Sequence, residues 1–471
     1  MTASTARSAR VYLDGRPVGV LATSGDALNS VSFMYDAALL DDPTAQVSLR
    51  LPVRAAPYPE RDALPCFENL LPDGDLRGLL AADVHQHQSD VVGLLGVFGG
   101  ECAGALSLWP EGMEPPTVPT YRDCTSADVH AAFAPVALVT SAWQPRSTTS
   151  HLVTDARALA AGTSGGDARP DSAGGQVGQH LAAVLRQARM SMSGAQEKLV
   201  LLREPPTDTA GAATALYRLP VAGAPSTVLV KRGRGTYPGL VQNEVASMAL
   251  MAAVGVETAT HTVCALDREV YETARFDRVW RPGGGVTRLH AEDGCQLTGR
   301  RPQSKYAGGG GPTYAELVTI LRKHSANPLA DTETLFRWAV ANLALGNRDA
   351  HAKNLSLLSR TPTERRLAPA YDVVCTMAYS ALDDGLALRF GGQVKLDALR
   401  PDALPKAARE FGLTAAFARE LVADVCDRLT AARLDALQLA ATQAGEHPVL
   451  GAMDVVVHEL TALTRAKLLG A

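Results

Sequence analysis

The chain of 471 residues is 46% hydrophobic and 20% charged, and its 45 basic and 49 acidic side chains leave a net charge of −4. That length exceeds what one core organises, so two or three domains are expected, and the slightly acidic balance excludes binding to nucleic acid or anionic membrane by bulk charge. Seven scattered cysteines (Cys66, Cys102, Cys124, Cys264, Cys295, Cys375 and Cys426) never form a Cys-x-x-Cys pair, which argues against a zinc site or a disulfide framework.

Residues 11–21 (VYLDGRPVGVL) are two strand-like runs around Asp14-Gly15, a hairpin signature. In LLPDGDLRGLLAADV a turn at Pro72-Asp73-Gly74 enters a helix, and Gly99-Gly100 leads into a strand at CAGALSLWP. These elements predict a mixed domain over 1–145. Residues 161–178 (AGTSGGDARPDSAGGQVG) carry too little apolar surface to offset their ordering entropy. The segment 146–190 therefore reads as a linker ending in a short helix, HLAAVLRQARM.

Three strands are expected at Lys198–Leu202, Ala215–Leu219 and Ser226–Lys231, then a helix from Val241 to Val254 stopped by Gly255. Strands at THTVCAL and EVYETARF complete an antiparallel sheet with one inserted helix, making a β-rich unit over 191–283. From 284 to 471 the pattern is mainly helical. Thr313 and Glu316 form a capping-box signal, Leu335–Leu345 is a helix closed by Gly346, and long helices fill 413–442 and 450–468. The predicted class is α+β, a bilobal kinase-like arrangement with an added N-terminal subdomain. No apolar signal segment opens the chain and no apolar run reaches the ~18 residues of a membrane span, so a soluble, cytoplasmic protein with no membrane partner is expected.

The sharpest chemical signal is GNRDAHAKN, residues 346–354, where Asp349 and Asn354 stand five apart in a loop after a Gly-terminated helix. Phosphoryl-transfer enzymes use this spacing to aim a carboxylate at an attacking hydroxyl and an amide oxygen at a magnesium ion. Alone, the pattern is more often a solvated polar turn. A short strand, LSLL, and then APAYDVV follow, placing Asp372 where a second metal-binding carboxylate belongs. Upstream, Lys231 ends a strand and Glu244 lies on the next helix, an arrangement that holds nucleotide phosphates if the two meet. SMSGAQEK (191–198) is a Gly-bearing turn able to present backbone N–H groups to phosphates. The basic pairs around Lys231–Arg234 and at Arg300-Arg301 are further candidate anion contacts.

Taken together, SMSGAQEKLVLL, VQNEVAS, ARFDRVW, AEDGCQLTG with KYAGGGGP, LALGNRDAHAKNLSLL and LAPAYDV resemble motifs of the HipA family of toxin kinases, in the family's order. VYLDGRPVGVL and FENLLPDGDLR resemble its N-terminal subdomain. The resemblance implies a serine/threonine protein kinase that uses ATP and Mg²⁺. It assigns Asp349 as proton acceptor, and Asn354 and Asp372 as Mg²⁺ ligands. Ser193, Gly194, Ala195, Gln196, Glu197 and Lys198 become the phosphate-facing loop, with Lys231 on the nucleotide. Ala274, Arg275 and Phe276 become the hinge against adenine, and His351, Ala352, Lys353 and Tyr371 line the remaining site. Ser191 takes the place of a self-phosphorylated serine, with Ser193 a competing acceptor. The family usually carries Glu where this chain has Ala274, so any side-chain contact from that position is lost.

The resemblance also implies a small helix-turn-helix antitoxin as partner, DNA contact only through that antitoxin, and a protein substrate, in some members an aminoacyl-tRNA synthetase. Two other readings stay open at this stage. One is a kinase-fold enzyme acting on a small molecule, which has no need of a 145-residue N-terminal domain. The other is a catalytically weak scaffold or corepressor, against which the complete set Lys231, Asp349, Asn354 and Asp372 speaks.

Overall fold

The computed structural model describes residues 7–23, 30–133, 181–194, 196–205, 216–233, 237–361, 363–379 and 385–470. The expected 161–178 linker, Ala195 and Arg234 lie outside these residues. Asp14 and Gly15 take φ of 44° and 81°, the left-handed turn whose twist matches its flanking strands. Ser8–Leu13 (β1) and Arg16–Thr23 (β2) therefore pair antiparallel. Val31–Tyr35 (β3) joins β2 and Leu106–Pro110 (β4) joins β1, giving the order β3-β2-β1-β4. Glu60–Glu68 (α1), Gly74–Asp83 (α2) and Val91–Phe98 (α3) complete this unit, with α1 against β3 and α3 against β1 and β4.

The second sheet has six antiparallel strands. They are Thr120–Asp123 (β5), Lys198–Arg203 (β6), Tyr217–Val221 (β7), Val228–Arg232 (β8), His261–Val263 (β9) and Val270–Ala274 (β10), in the order β5-β7-β6-β8-β10-β9. Ser126–Ala132 (α4) follows β5, a helix over 181–188 (α5) precedes β6, and Leu240–Ala253 (α6) is inserted between β8 and β9. The edge strand β5 was not expected from the sequence. It pairs with β7 from Thr120↔Val221 to Asp123↔Arg218, so this sheet draws chain from both sides of residue 145. One core accordingly runs from Val11, Phe33 and Leu95 through to Leu201, Val228 and Val230.

Arg278–Trp280 (β11) and Val286–Arg288 (β12) form a ribbon, and His290–Asp293 (β13), Ser356–Ser359 (β14) and Arg365–Leu367 (β15) a small sheet. The rest is helical: Gly294–Thr298 (α7), Tyr314–His324 (α8), Pro328–Leu345 (α9), Ala403–Phe411 (α10), Ala415–Ala444 (α11) and Pro448–Leu469 (α12). The Thr313–Glu316 capping box forms as expected. Helix α9 starts earlier than its apolar run suggests, because Asn327 caps it by accepting from the Ala330 N–H and Pro328 presets the first turn. Helices α6, α9, α11 and α12 share one core that buries Met248, Phe336, Trp338, Val425 and Met453. Among the described residues no helix is long and apolar enough to cross a membrane.

Candidate active site

Helix α9 ends at Gly346, whose φ of 70° reverses the chain. A side chain there would crowd Leu460 and Met377 at about 3 Å. The loop that follows is held by its own side chains. Asn347 donates to Asn342 Oδ1 at 2.8 Å and accepts the Asp349 N–H at 3.0 Å, while the Arg348 N–H reaches Thr376 Oγ1 at 2.8 Å. This fixes the Asp349 backbone and leaves its carboxylate half exposed. Asn354 Nδ2 donates to the Asp349 carbonyl at 2.9 Å, so its amide nitrogen is committed and its Oδ1 remains to accept or to ligate.

Tyr371 anchors the same loop from the far side. Its hydroxyl donates to the Lys353 carbonyl and shares a hydrogen bond with Ser356, each at 2.7 Å. The next residue, Asp372, is held at φ 58°, a left-handed conformation uncommon for a non-glycine residue. That backbone turn brings Asp372 Oδ1 to 2.5 Å from Lys231 Nζ, and Lys231 Nζ also lies 2.5 Å from Glu244 Oε1. Strand β8 and helix α6 thus do bring Lys231 and Glu244 together. One buried ammonium faces two carboxylates. Burial works against the Lys231 charge, but Asp372 and Glu244 outweigh it and push its pKa up. Burial likewise opposes the Asp372 charge, yet Lys231 and Lys198 hold its carboxyl well below the usual range. Glu244 is pushed up to about 7, first by burial and further by Asp372, against the pull of Lys231.

Lys198 starts β6 opposite Lys231. Burial lowers its pKa to about 8, and Nζ donates to the Ser193 carbonyl at 2.5 Å. Gly194 sits at φ 101°, a conformation that residues with a side chain rarely adopt, and a Cβ there would also push against that ammonium from 2.7 Å. Gly294 is constrained similarly, since a Cβ would lie 2.6 Å from the Ala352 carbonyl, so α7 can approach the Asp349 loop closely.

A cavity of about 990 Å³ gathers these groups. Ser193, Gly194, Gln196, Lys198, Lys231, Ala274, Arg275 and Phe276 line one side, and Asp349, His351, Lys353, Asn354, Tyr371 and Asp372 the other. Glu197 and the buried Ala352 do not line it. The Arg275 guanidinium turns away and binds Glu101 and Asp277, each at 2.8 Å, while its backbone N–H donates to Thr227. Phe276 packs on Tyr371 with ring centres 5.3 Å apart. Ser191 is fully buried outside the cavity lining, its hydroxyl donating to the Leu70 carbonyl at 2.8 Å. Arg300 and Arg301 pair with Glu316 and Glu68, each at 2.6 Å.

Residue-level reading missed several groups. The Tyr306 hydroxyl donates to the Asp349 carboxylate, and its ring meets His351 edge-on at 5.1 Å. Burial and Asp349 both push the Tyr306 pKa up, which keeps it a donor, and burial lowers His351 to about 4, which keeps it neutral. Asn69 and Leu70 of the N-terminal unit also line the cavity. The available signal was that KYAGGGGP and FENLLPDGDLR stood among the recognised motifs with no role attached.

Residues 190–433 match the model of the HipA-like C-terminal domain, and residues 9–109 that of the HipA N-terminal domain. The chain belongs to the HipA family. It is 32% identical to the Sinorhizobium fredii protein named "Putative kinase Y4mE", over 90% of each chain. The serine/threonine-protein kinase toxin HipA of Shewanella oneidensis is 33% identical over 35% of this chain and 40% of its own. A chain of the solved Shewanella oneidensis MR-1 complex of HipA, HipB and operator DNA superposes over 98% of this chain and 97% of its own, with a TM-score of 0.72 at 20% identity. The HipA fold therefore extends over nearly the whole chain, and the family places it among kinases in general.

Proposed function

We propose that this HipA-family chain is an ATP- and Mg²⁺-dependent serine/threonine protein kinase of the toxin type, acting in the cytoplasm on a protein substrate. The observation that carries the reading is the buried Lys231, bridging Glu244 on α6 and Asp372 beside the Asp349 loop within one cavity. A buried lysine oriented by a carboxylate is how phosphoryl-transfer sites hold nucleotide phosphates. The sheet of β5–β10 and the helices from α7 onward would then be the two kinase lobes, with the cavity between them.

The donor set fits magnesium. Asp372 offers a carboxylate and Asn354 an amide oxygen freed by the commitment of its nitrogen, and Mg²⁺ favours a few such hard oxygens together with substrate phosphates. When bound, the ion neutralises charge building on the transferred phosphoryl group. Lys231 holds the nucleotide phosphates and Glu244 keeps its ammonium in line. The backbone of Ser193–Lys198 faces those phosphates, and the hinge Ala274–Phe276 meets adenine through its backbone, since the Arg275 side chain is committed elsewhere. Asp349 accepts the proton of the incoming hydroxyl, its carboxylate already accepting a hydrogen bond from the Tyr306 hydroxyl.

The likeness to a HipA found with HipB and operator DNA supports a small helix-turn-helix antitoxin as partner, with DNA reached through it. The net charge of −4 favours that indirect route. The test is Mg²⁺-dependent transfer of labelled phosphate from ATP to protein acceptors and to small-molecule acceptors, with Asp349→Ala as blank. Labelling of protein serine or threonine is expected. Transfer to small molecules alone, or none at all, would overturn the reading.

A further inference from the structure

The turn Pro72-Asp73-Gly74 enters α2, and an Asp in that place ordinarily accepts an N–H of the helix's first turn. Asp73 does not: its side chain makes no capping bond. Instead its two oxygens face two lysines more than 200 residues away in the chain. Lys305 Nζ lies 3.2 Å from Oδ2 and Lys353 Nζ 3.2 Å from Oδ1. Both lysines line the cavity, and each adjoins a residue of the Asp349 centre: Lys305 precedes Tyr306, and Lys353 precedes Asn354. The same short segment also grips the phosphate-facing loop. The Asp73 N–H donates to the Gly194 carbonyl at 3.2 Å, Pro72 and Gly194 form a parallel bridge, and Leu70 accepts from Ser191. Burial disfavours the Asp73 charge, but Lys353 and Lys305 outweigh it and hold its pKa below the ordinary value.

We propose that Asp73, in the N-terminal unit, is a positioning residue of the phosphoryl-transfer site. It sets the Lys305 and Lys353 ammonium groups at the cavity wall, while its own segment holds the 191–194 loop in register with the Asp349 loop. This inference rests on the kinase reading above. It gives the N-terminal unit a task inside the catalytic centre, because Asp73 is the carboxylate that ion-pairs with both lysines, while Asp293 on β13 acts on Lys353 only at longer range. Asp73 lines no part of the cavity, so it acts through the lysines and not on substrate.

The experiment uses the full chain with Asp73→Asn, which keeps the shape and removes the charge. Phosphoryl transfer should fall roughly 10- to 100-fold in kcat, as small misplacements of reacting groups do. In a Lys353→Met background the same change should have little further effect, since coupled residues are non-additive. Amide hydrogen exchange reads the positioning without relying on turnover: it should quicken at 191–194 and 349–354 and stay unchanged in α11 and α12. Wild-type kcat with unchanged exchange would overturn the proposal. So would exchange quickened throughout with a lowered Tm, the mark of a purely structural ion pair. A wild-type chain that transfers no phosphate yet shows the localised exchange response would sink the kinase reading and leave Asp73 as the residue that orders the two loops.

Discussion

Lys231 Nζ stands 2.5 Å from Glu244 Oε1 and equally close to Asp372 Oδ1, so one buried cation serves two acids from different parts of the fold. Removing it takes the contacting cation from both and leaves only the more distant Lys198 to offset them. Lys231→Met should destabilise the protein by about 3 kcal/mol, because an uncompensated buried charge is costly, and should abolish nucleotide binding. Lys231→Met with Glu244→Gln should recover part of that stability but none of the binding. Urea unfolding and ATP titration of the two proteins check this, and equal stability of single and double variants would disprove it.

The residues that announce themselves locally were legible in the sequence. Asp14-Gly15 demanded a hairpin, Gly346 a helix stop, and the Asp349–Asn354 spacing a loop with two aimed oxygens. What stayed hidden depends on partners remote in the chain. Strand β5 is four residues, TYRD, too short and polar to show a period, and it exists because β7 lies beside it about a hundred residues later. Glu101 reads as a polar residue after two glycines. In the fold it is fully buried and accepts from Arg275, Arg278 and Arg288. The Arg275 side chain is thereby drawn toward the N-terminal unit, which no local pattern around Ala274–Phe276 encodes.

Asp349→Ala should lower phosphoryl transfer by ~10²–10⁴-fold, the usual range for a lost general base, with ATP affinity kept because Lys231 and Asp372 are untouched. Tyr306→Phe removes the hydroxyl that donates to Asp349, so the apparent affinity for the protein acceptor should rise. Steady-state kinetics on both variants decide. Transfer by Asp349→Ala above about a tenth of wild type would remove Asp349 from its role.

Asn354→Ala and Asp372→Ala should each weaken Mg²⁺-dependent ATP binding, Asp372→Ala more, since a carboxylate is the stronger ligand for this ion. Titration of ATP with and without Mg²⁺ measures it. Equal affinity in the two conditions for the wild-type protein would refute both assignments.

His290 on β13 is half-buried with both ring nitrogens shielded from water, and this desolvation, aided by Arg365, outweighs Val47 and Asp277 and lowers its pKa to about 4. The unfolded chain, with an ordinary histidine pKa of about 6.5, takes up this proton first on acidification. The stability it contributes is therefore complete above pH ~6.5 and is lost as pH falls toward 4. Against a His290→Asn variant, the wild-type advantage in unfolding free energy should shrink by roughly 2 kcal/mol between pH 7 and pH 5, at about 1.4 kcal/mol per unit below the unfolded pKa. A difference that does not change with pH would show that His290 is not held neutral by the fold.

Ser191 presents the sharpest conflict between proposed role and observed place. It is fully buried, its hydroxyl donates to Leu70 and its N–H to the Glu101 carbonyl, and Gly194 three residues on is bridged to Pro72. A phosphate there would carry about −1.5 to −2 charges into a pocket shaped for a hydroxyl, with the Leu70 carbonyl facing it. The modified side chain cannot keep that contact, so the 191–194 segment must leave the N-terminal unit, taking with it the loop proposed to face the ATP phosphates. The reaction therefore requires an opened loop, and its product should lock that loop open. Dephosphorylated protein incubated with Mg²⁺-ATP should acquire phosphate at Ser191, slowly, and bind ATP poorly afterwards. Hydrogen exchange at 190–198 should quicken in step with the labelling. Mass spectrometry of wild type and Ser191→Ala, with Asp349→Ala as blank, locates the site and separates it from Ser193. Labelling of Ser191→Ala as full as wild type, or labelled protein that still binds ATP with unchanged affinity, would show that Ser191 is a structural serine holding the loop to Leu70.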